Sequence, residues 1–141
     1  MISELGMLKP KLMVWIFIVY ATLVMVGAFY PQPPTPLLPF EFNISLLVHF
    51  CQYFVFAVLY YIMRRKFGID RKFIYIELFF IGAFISVFTE EIQRFIPGRN
   101  QCWWDVVTNL LGFYSFIALS IIISPIGNRH YLNRKKVVYE R

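Results

Sequence analysis

The sequence predicts an all-α integral membrane protein: a four-helix bundle forming one domain over residues 1–141, with both termini in the cytoplasm. Three observations lead there. First, 59% of the 141 residues are hydrophobic and only 16% are charged, with a mean hydropathy of +0.61. Soluble domains carry roughly 25% charged residues, so the medium that accepts this much apolar surface is lipid. Second, the apolar residues fall into four runs of near-membrane length. A hydrocarbon core of about 30 Å needs about 20 residues at about 1.5 Å each. Third, the Lys and Arg residues sit in short segments flanking those runs, which is the pattern of membrane topology. No soluble face interleaves basic with aromatic residues, so the net charge of +6 does not point to nucleic acid.

The first run covers residues 12–30, preceded by Lys9 and Lys11. Val26 and Ala28 loosely resemble a signal-peptidase site, but the run exceeds the usual 7–15 apolar residues of a signal core. A retained span is the preferred reading. Residues 31–39 hold Pro31, Pro33, Pro34, Pro36 and Pro39. Proline lacks the amide donor of a helix interior, so this stretch reads as a semi-rigid polyproline-like connector. The second run covers residues 44–63, with Asn43 or Ser45 as candidate caps. His49, Gln52, Tyr53, Phe56 and Tyr60 fall on one side of it by helical period.

The third run covers residues 73–89. Glu77 lies one turn inside it and is expected to be structural, meeting Arg71 or Lys72. The fourth covers residues 104–124, and Pro125 and Gly127 are expected to end it. Two Lys/Arg precede the first run, five lie between the second and third, and five lie after the fourth; only Arg94 and Arg99 fall on the other side. The positive-inside rule then places both termini in the cytoplasm.

Between the third and fourth runs, residues 89–112 form a polar island, TEEIQRFIPGRNQCWWDVVTNLLG. A charge deep in a spanning helix costs roughly 2.5–3.5 kcal/mol on insertion scales, so such groups turn inward and pair. Ala83, Ser86, Glu90 and Gln93 share one helical face, and Asp105, Thr108, Asn109 and Gly112 share another. His49 and Asn109 each lie about five residues into the outer end of their runs, and Glu90 lies at the end of its own. The three are expected to meet in the outer third of the bilayer, with Gln52 and Tyr53 beneath. Pro97 and Gly98 suit the centre of a type II turn. Trp103 and Trp104 suit the headgroup level. Arg99, just past the turn, has the planar fork that grips a carboxylate or phosphate.

Plainer roles exist for each. Glu90 and Arg94 form an i,i+4 pair, Asp105 suits a helix start, and Asn109 suits interhelical bonding. Cys51 and Cys102 match no zinc spacing. Two free thiols are the default there, with a disulfide geometrically open. No metal motif, phosphate loop or serine elbow appears, and nothing in the sequence asks for a cofactor.

The island resembles the signature of the VanZ-like family of small polytopic membrane proteins. Its Glu, Gln, Pro-Gly-Arg turn, Asp, Asn and Gly fall here on Glu90, Gln93, Pro97, Gly98, Arg99, Asp105, Asn109 and Gly112. His49, Phe50 and Tyr53 match a weaker His-Phe-x-x-Tyr pattern, although many members carry Asp-Lys where this chain has Ser45 and Leu46. The resemblance implies a multi-pass protein of the cell membrane, and a link to resistance against teicoplanin, a lipid-bearing glycopeptide.

Three functions are thus in play. One is a pocket that recognises an anionic envelope group such as a lipid headgroup, with Arg99 as the cation and Glu90, Gln93, Asp105, Asn109, His49 and Tyr53 around it. Another is an enzyme on a lipid-linked substrate, with Glu90 or Asp105 as base and His49 assisting. The third is a structural or assembly subunit.

Overall fold

The computed structural model describes the backbone of residues 9–30, 39–98 and 102–139, and side chains within 9–30, 44–98 and 102–123. The described chain is all-α: α1 (Pro10–Phe29), α2 (Pro39–Lys66), α3 (Arg71–Gln93) and α4 (Trp103–Tyr139). Each contains a segment long and apolar enough to cross a membrane: Pro10–Phe29, Ile44–Lys66, Arg71–Gln93 and Trp103–Ile123. Pro10 opens α1 at the first helical position, where its missing amide would have had no partner. The connector expected at residues 31–39 lies outside the described residues except for Pro39, which begins α2.

The α2–α3 connection is short because its ends are chemically defined. Gly68 takes φ +76°. The Ile69 amide donates to the Arg64 carbonyl at 3.4 Å, and that of Gly68 to Arg65 at 3.1 Å. Those two bonds are a Schellman closure, in which glycine bears the left-handed conformation at no Cβ cost. Asp70 then caps α3 by accepting from the Lys72 amide at 2.8 Å.

The main interface is that of α2 with α4, followed by α3 with α4; α1 packs on α2 and more lightly on α3. The core between them holds Val24, Tyr53, Phe56, Ala57, Ile74, Leu78 and Phe113. Phe113 is its hub: its ring lies 5.5 Å from those of Tyr53 and Phe56, and it packs on Gly82, whose missing Cβ leaves the room. Conversely, Trp15, Leu23, Phe80 and Phe84 are each about two-thirds exposed. In water such a shell would aggregate; facing hydrocarbon it is at home.

Four sequence expectations are corrected. Helix α2 begins at Pro39, so Asn43 and Ser45 lie within it and neither is its cap. Helix α3 continues one turn past residue 89 to Gln93, which keeps Glu90 and Gln93 on the helical face expected of them. Helix α4 passes through Pro125 and Gly127 to Tyr139. A proline forfeits one backbone bond and crowds the preceding turn, which can bend a helix without ending it. Glu77 meets neither Arg71 nor Lys72 in the way expected. It is gripped by both arms of Arg64 from α2, with the Nε bond at 2.9 Å, and accepts from the Tyr60 hydroxyl at 3.0 Å.

That clamp ties α2 to α3 at the basic end of the bundle. Both side chains are about 30% exposed, so the coupling between them is expected to be modest, about 1 kcal/mol. A double-mutant cycle of Arg64→Gln and Glu77→Gln, read by thermal unfolding in detergent, measures it. A coupling indistinguishable from zero would show the clamp to be ornamental.

Candidate functional site

At the opposite end of the bundle, helices α2, α3 and α4 enclose a layer of buried polar side chains. Ser86, Thr89, Glu90 and Gln93 on α3 are at most 1% exposed, Asn109 on α4 is fully buried, and Asp105 is 9% exposed. Their spacing puts them on the inner face of each helix. The pattern Ser86, Thr89, Glu90, Gln93 is one continuous stripe, and Asp105 with Asn109 is one turn of the next helix.

His49 from α2 joins the two sides. Its Nδ1 lies 3.0 Å from Asn109 Oδ1, and its Nε2 lies 3.7 Å from Asp105 Oδ2. The first is a hydrogen bond; the second is too long for one and is an ion pair when the ring is protonated. With the amide oxygen facing it, Nδ1 carries a hydrogen, so the ring presents Nε2 to the carboxylate. One turn deeper, the Tyr53 hydroxyl is 3.3 Å from Thr89 Oγ1. The Thr89 hydroxyl in turn lies 2.9 Å from the Ile85 carbonyl, to which it donates.

The two carboxylates gather at the start of α4. Glu90 Oε2 accepts from the Cys102 amide at 3.3 Å, the residue just before the helix. Asp105 occupies the first turn. Buried acids are costly, and a helix start is where they cost least, because its free amides and its dipole favour negative charge. Glu90 therefore does for α4 from α3 what a capping residue does locally. Gln93 has a comparable task at another helix end, donating from Nε2 to the Ala28 carbonyl near the C-terminus of α1 at 3.1 Å.

Two buried polar atoms, Ser86 Oγ and Asn109 Nδ2, make no hydrogen bond within the described residues. Such atoms cost about 1–3 kcal/mol each unless something meets them. They point to water or a ligand group inside the layer.

The predicted site residues thus divide. His49, Asp105 and Asn109 are brought into one cluster; Glu90 stands at the same helix start; Tyr53 lies one turn below, bonded to Thr89. Gln93 is engaged with α1. Gly98 has φ +79°, the value of the third position of a type II turn, with Pro97 before it. Arg99 lies outside the described residues. Gly112 lets α4 approach the α2 backbone closely, as a Cβ there would stand 2.5 Å from the Phe50 carbonyl oxygen.

The expected Glu90–Arg94 pair does not form: Arg94 pairs with Glu91 at 3.1 Å on the exposed side, while Glu90 turns inward. Cys51 and Cys102 are free thiols. Among the described residues no three His, Cys, Asp or Glu converge closely enough to hold a metal ion. Thr89 was missed by sequence reasoning; its place one residue before Glu90 on the Ser86–Gln93 stripe was the available signal.

No family model, curated protein or solved structure matches this chain. The functional reading therefore rests on the buried layer and on the motif within it.

Proposed function

We propose that this chain is a VanZ-like multi-pass protein of the cell membrane whose buried polar layer recognises an anionic envelope or lipid group on the outer side. The topology in this reading has both termini in the cytoplasm, following the excess of Lys and Arg at the α2–α3 loop and the two ends. The observation that carries it is the layer itself: six buried polar side chains from two helices, completed by His49, with Ser86 Oγ and Asn109 Nδ2 left without hydrogen bonds among the described residues. A bundle that needed only packing would be cheaper with apolar residues there. Retaining these groups fits a site that completes its bonding with a ligand.

The α4 N-terminus is already held by the chain's own Glu90 and Asp105, so an incoming anion has to be met from another side. In this reading Arg99 supplies that charge, standing just after the Pro97–Gly98 turn in sequence. Influence on susceptibility to lipoglycopeptides such as teicoplanin follows as its expected readout.

Deletion with complementation tests it. Arg99→Ala is expected to lose the deletion-complementing phenotype, scored as lipoglycopeptide susceptibility, while membrane abundance stays within about twofold of wild type. If Arg99→Ala complements fully wherever the deletion has a phenotype, the anion-recognition reading fails.

A second reading draws on one specific contact. His49 is held by Asn109 at one ring nitrogen and faces Asp105 with the other, an arrangement that orients an imidazole for proton transfer. Under it the chain is an enzyme on a lipid-linked substrate, and purified protein in detergent turns over such a substrate. Asp105→Asn then lowers turnover at unchanged abundance; turnover undiminished in that variant excludes Asp105 as the base.

A further inference from the structure

A long apolar groove runs along the outside of the bundle between α1 and α3, floored by α2. Phe17, Phe56, Tyr60, Phe80, Phe84 and Phe88 line most of it, and its volume is about 640 Å³. Phe80 and Phe84 are each 65% exposed, and Phe84 stacks on Phe88 with ring centres 5.3 Å apart. From Phe80 to Phe88 the groove runs about 12 Å at about 1.5 Å per residue, a length of apolar wall that a hydrocarbon chain can follow.

Of the two ends of the groove, the one at Phe17 and Phe80 is nearer the basic end of the bundle. Helices α1 and α3 both begin there, so their positive dipole ends face the same side. Lys9 and Lys11 stand at the start of α1 and Lys72 at the start of α3, all exposed. Arg64 is already committed to Glu77. The lysines lie six to eight residues before Phe17 and Phe80, about 10 Å along the helices. That is the separation of a phosphate at the surface from the middle part of its acyl chain. Basic residues flanking a cleft between spanning helices attract anionic headgroups.

We propose that the α1–α3 cleft is a binding site for one anionic phospholipid, with an acyl chain in the phenylalanine groove and the phosphate between Lys9, Lys11 and Lys72. The phosphate site lies at the opposite end of the bundle from the buried polar layer, and the groove runs along the outer side of α3, where exposed Phe84 and Phe88 face away from buried Ser86 and Thr89; the proposal stands or falls independently of that layer. Charge at the starts of α1 and α3 selects the headgroup, and the apolar groove holds the chain.

Native mass spectrometry of the full chain decides it. The detergent-solubilised protein is incubated with equal amounts of phosphatidylglycerol and phosphatidylcholine bearing identical chains. The expected adduct is one phosphatidylglycerol, favoured about tenfold, with the preference falling as salt is raised. The variant carrying Lys9→Gln, Lys11→Gln and Lys72→Gln is expected to lose that preference while keeping its helical circular dichroism. Ile81→Trp, which fills the groove, is expected to weaken retention of both lipids. Equal retention of the two lipids by wild type would mean ordinary boundary lipid and overturn the proposal. So would undiminished binding in Ile81→Trp, or a dimer that carries no lipid. Should the triple variant misfold, the wild-type preference and the Ile81→Trp result still decide.

Discussion

Replacing Gly112 with valine is expected to abolish accumulation of the folded protein. A Cβ on residue 112 would stand 2.5 Å from the Phe50 carbonyl oxygen, 2.9 Å from the Phe54 amide nitrogen and 3.2 Å from Tyr53 Cβ. Two of those neighbours are backbone, so no side chain can swing aside to make room. Helix α4 would have to move away from α2 across the largest interface of the bundle. In lipid there is no hydrophobic drive to push the helices back together; close packing and interhelical bonds hold them. Alanine at 112 is expected to cost about 1–3 kcal/mol, the usual scale of overpacking, and valine more. The shift would also pull Asn109, one turn earlier, away from His49 and open the polar layer. Gly27→Ala is the control, because a Cβ there meets nothing within 4 Å. There the gain in helix propensity, about 0.8–1.0 kcal/mol, is expected to leave stability equal or higher. Thermal unfolding in detergent and membrane abundance by immunoblot measure both. Accumulation of Gly112→Val at the wild-type level would mean that the α2–α4 contact does not govern the fold.

The same glycine shows what could be read from sequence and what could not. Gly112 was legible as a small residue on the Asp105–Asn109 face, but which helix it admitted was not. Helical period says which residues of one helix look the same way; it is silent on the partner opposite. For that reason the inward faces of α3 and α4 were readable, as was the depth at which His49 meets Asn109. Glu77 shows the failure of the same logic. Nearby basic residues in sequence, Arg71 and Lys72, looked sufficient, yet the carboxylate reaches across to Arg64 and Tyr60, one turn apart on α2. Arg94 failed in a related way: i,i+4 spacing offered Glu90, but Glu90 belongs to the buried stripe, leaving Glu91 to pair. Burial decided between two geometrically equivalent partners, and burial is a tertiary property. The end of α3 was set too early because the apolar run stops at Phe88, although Glu90 and Gln93 continue the helical face that carries Ser86. Thr89 escaped notice because it is too ordinary in a helix to stand out.

Making the His49–Asp105–Asn109 cluster apolar is expected to raise stability and remove function together. The variant combines His49→Phe, Asp105→Leu and Asn109→Leu, substitutions close in size to the originals. It removes the Nδ1–Oδ1 bond and the 3.7 Å His49–Asp105 contact along with the buried Asn109 Nδ2 that makes no hydrogen bond in the described structure. Taking away one partner alone would strand the others and cost several kcal/mol. Taking away the set spares all of them their desolvation, and replacing buried ionic groups by packed apolar ones typically gains about 1–4 kcal/mol. The expected result is a higher unfolding temperature, unchanged or greater membrane abundance, and loss of complementation. Stability and activity moving in opposite directions is the signature of polar groups kept for a task. If abundance falls in step with the phenotype, the layer is interhelical glue, and the subunit role explains it without any ligand. Full complementation by a more stable variant would remove the reason for placing a site there at all. The two measurements on one protein therefore separate a layer that binds from a layer that only fastens.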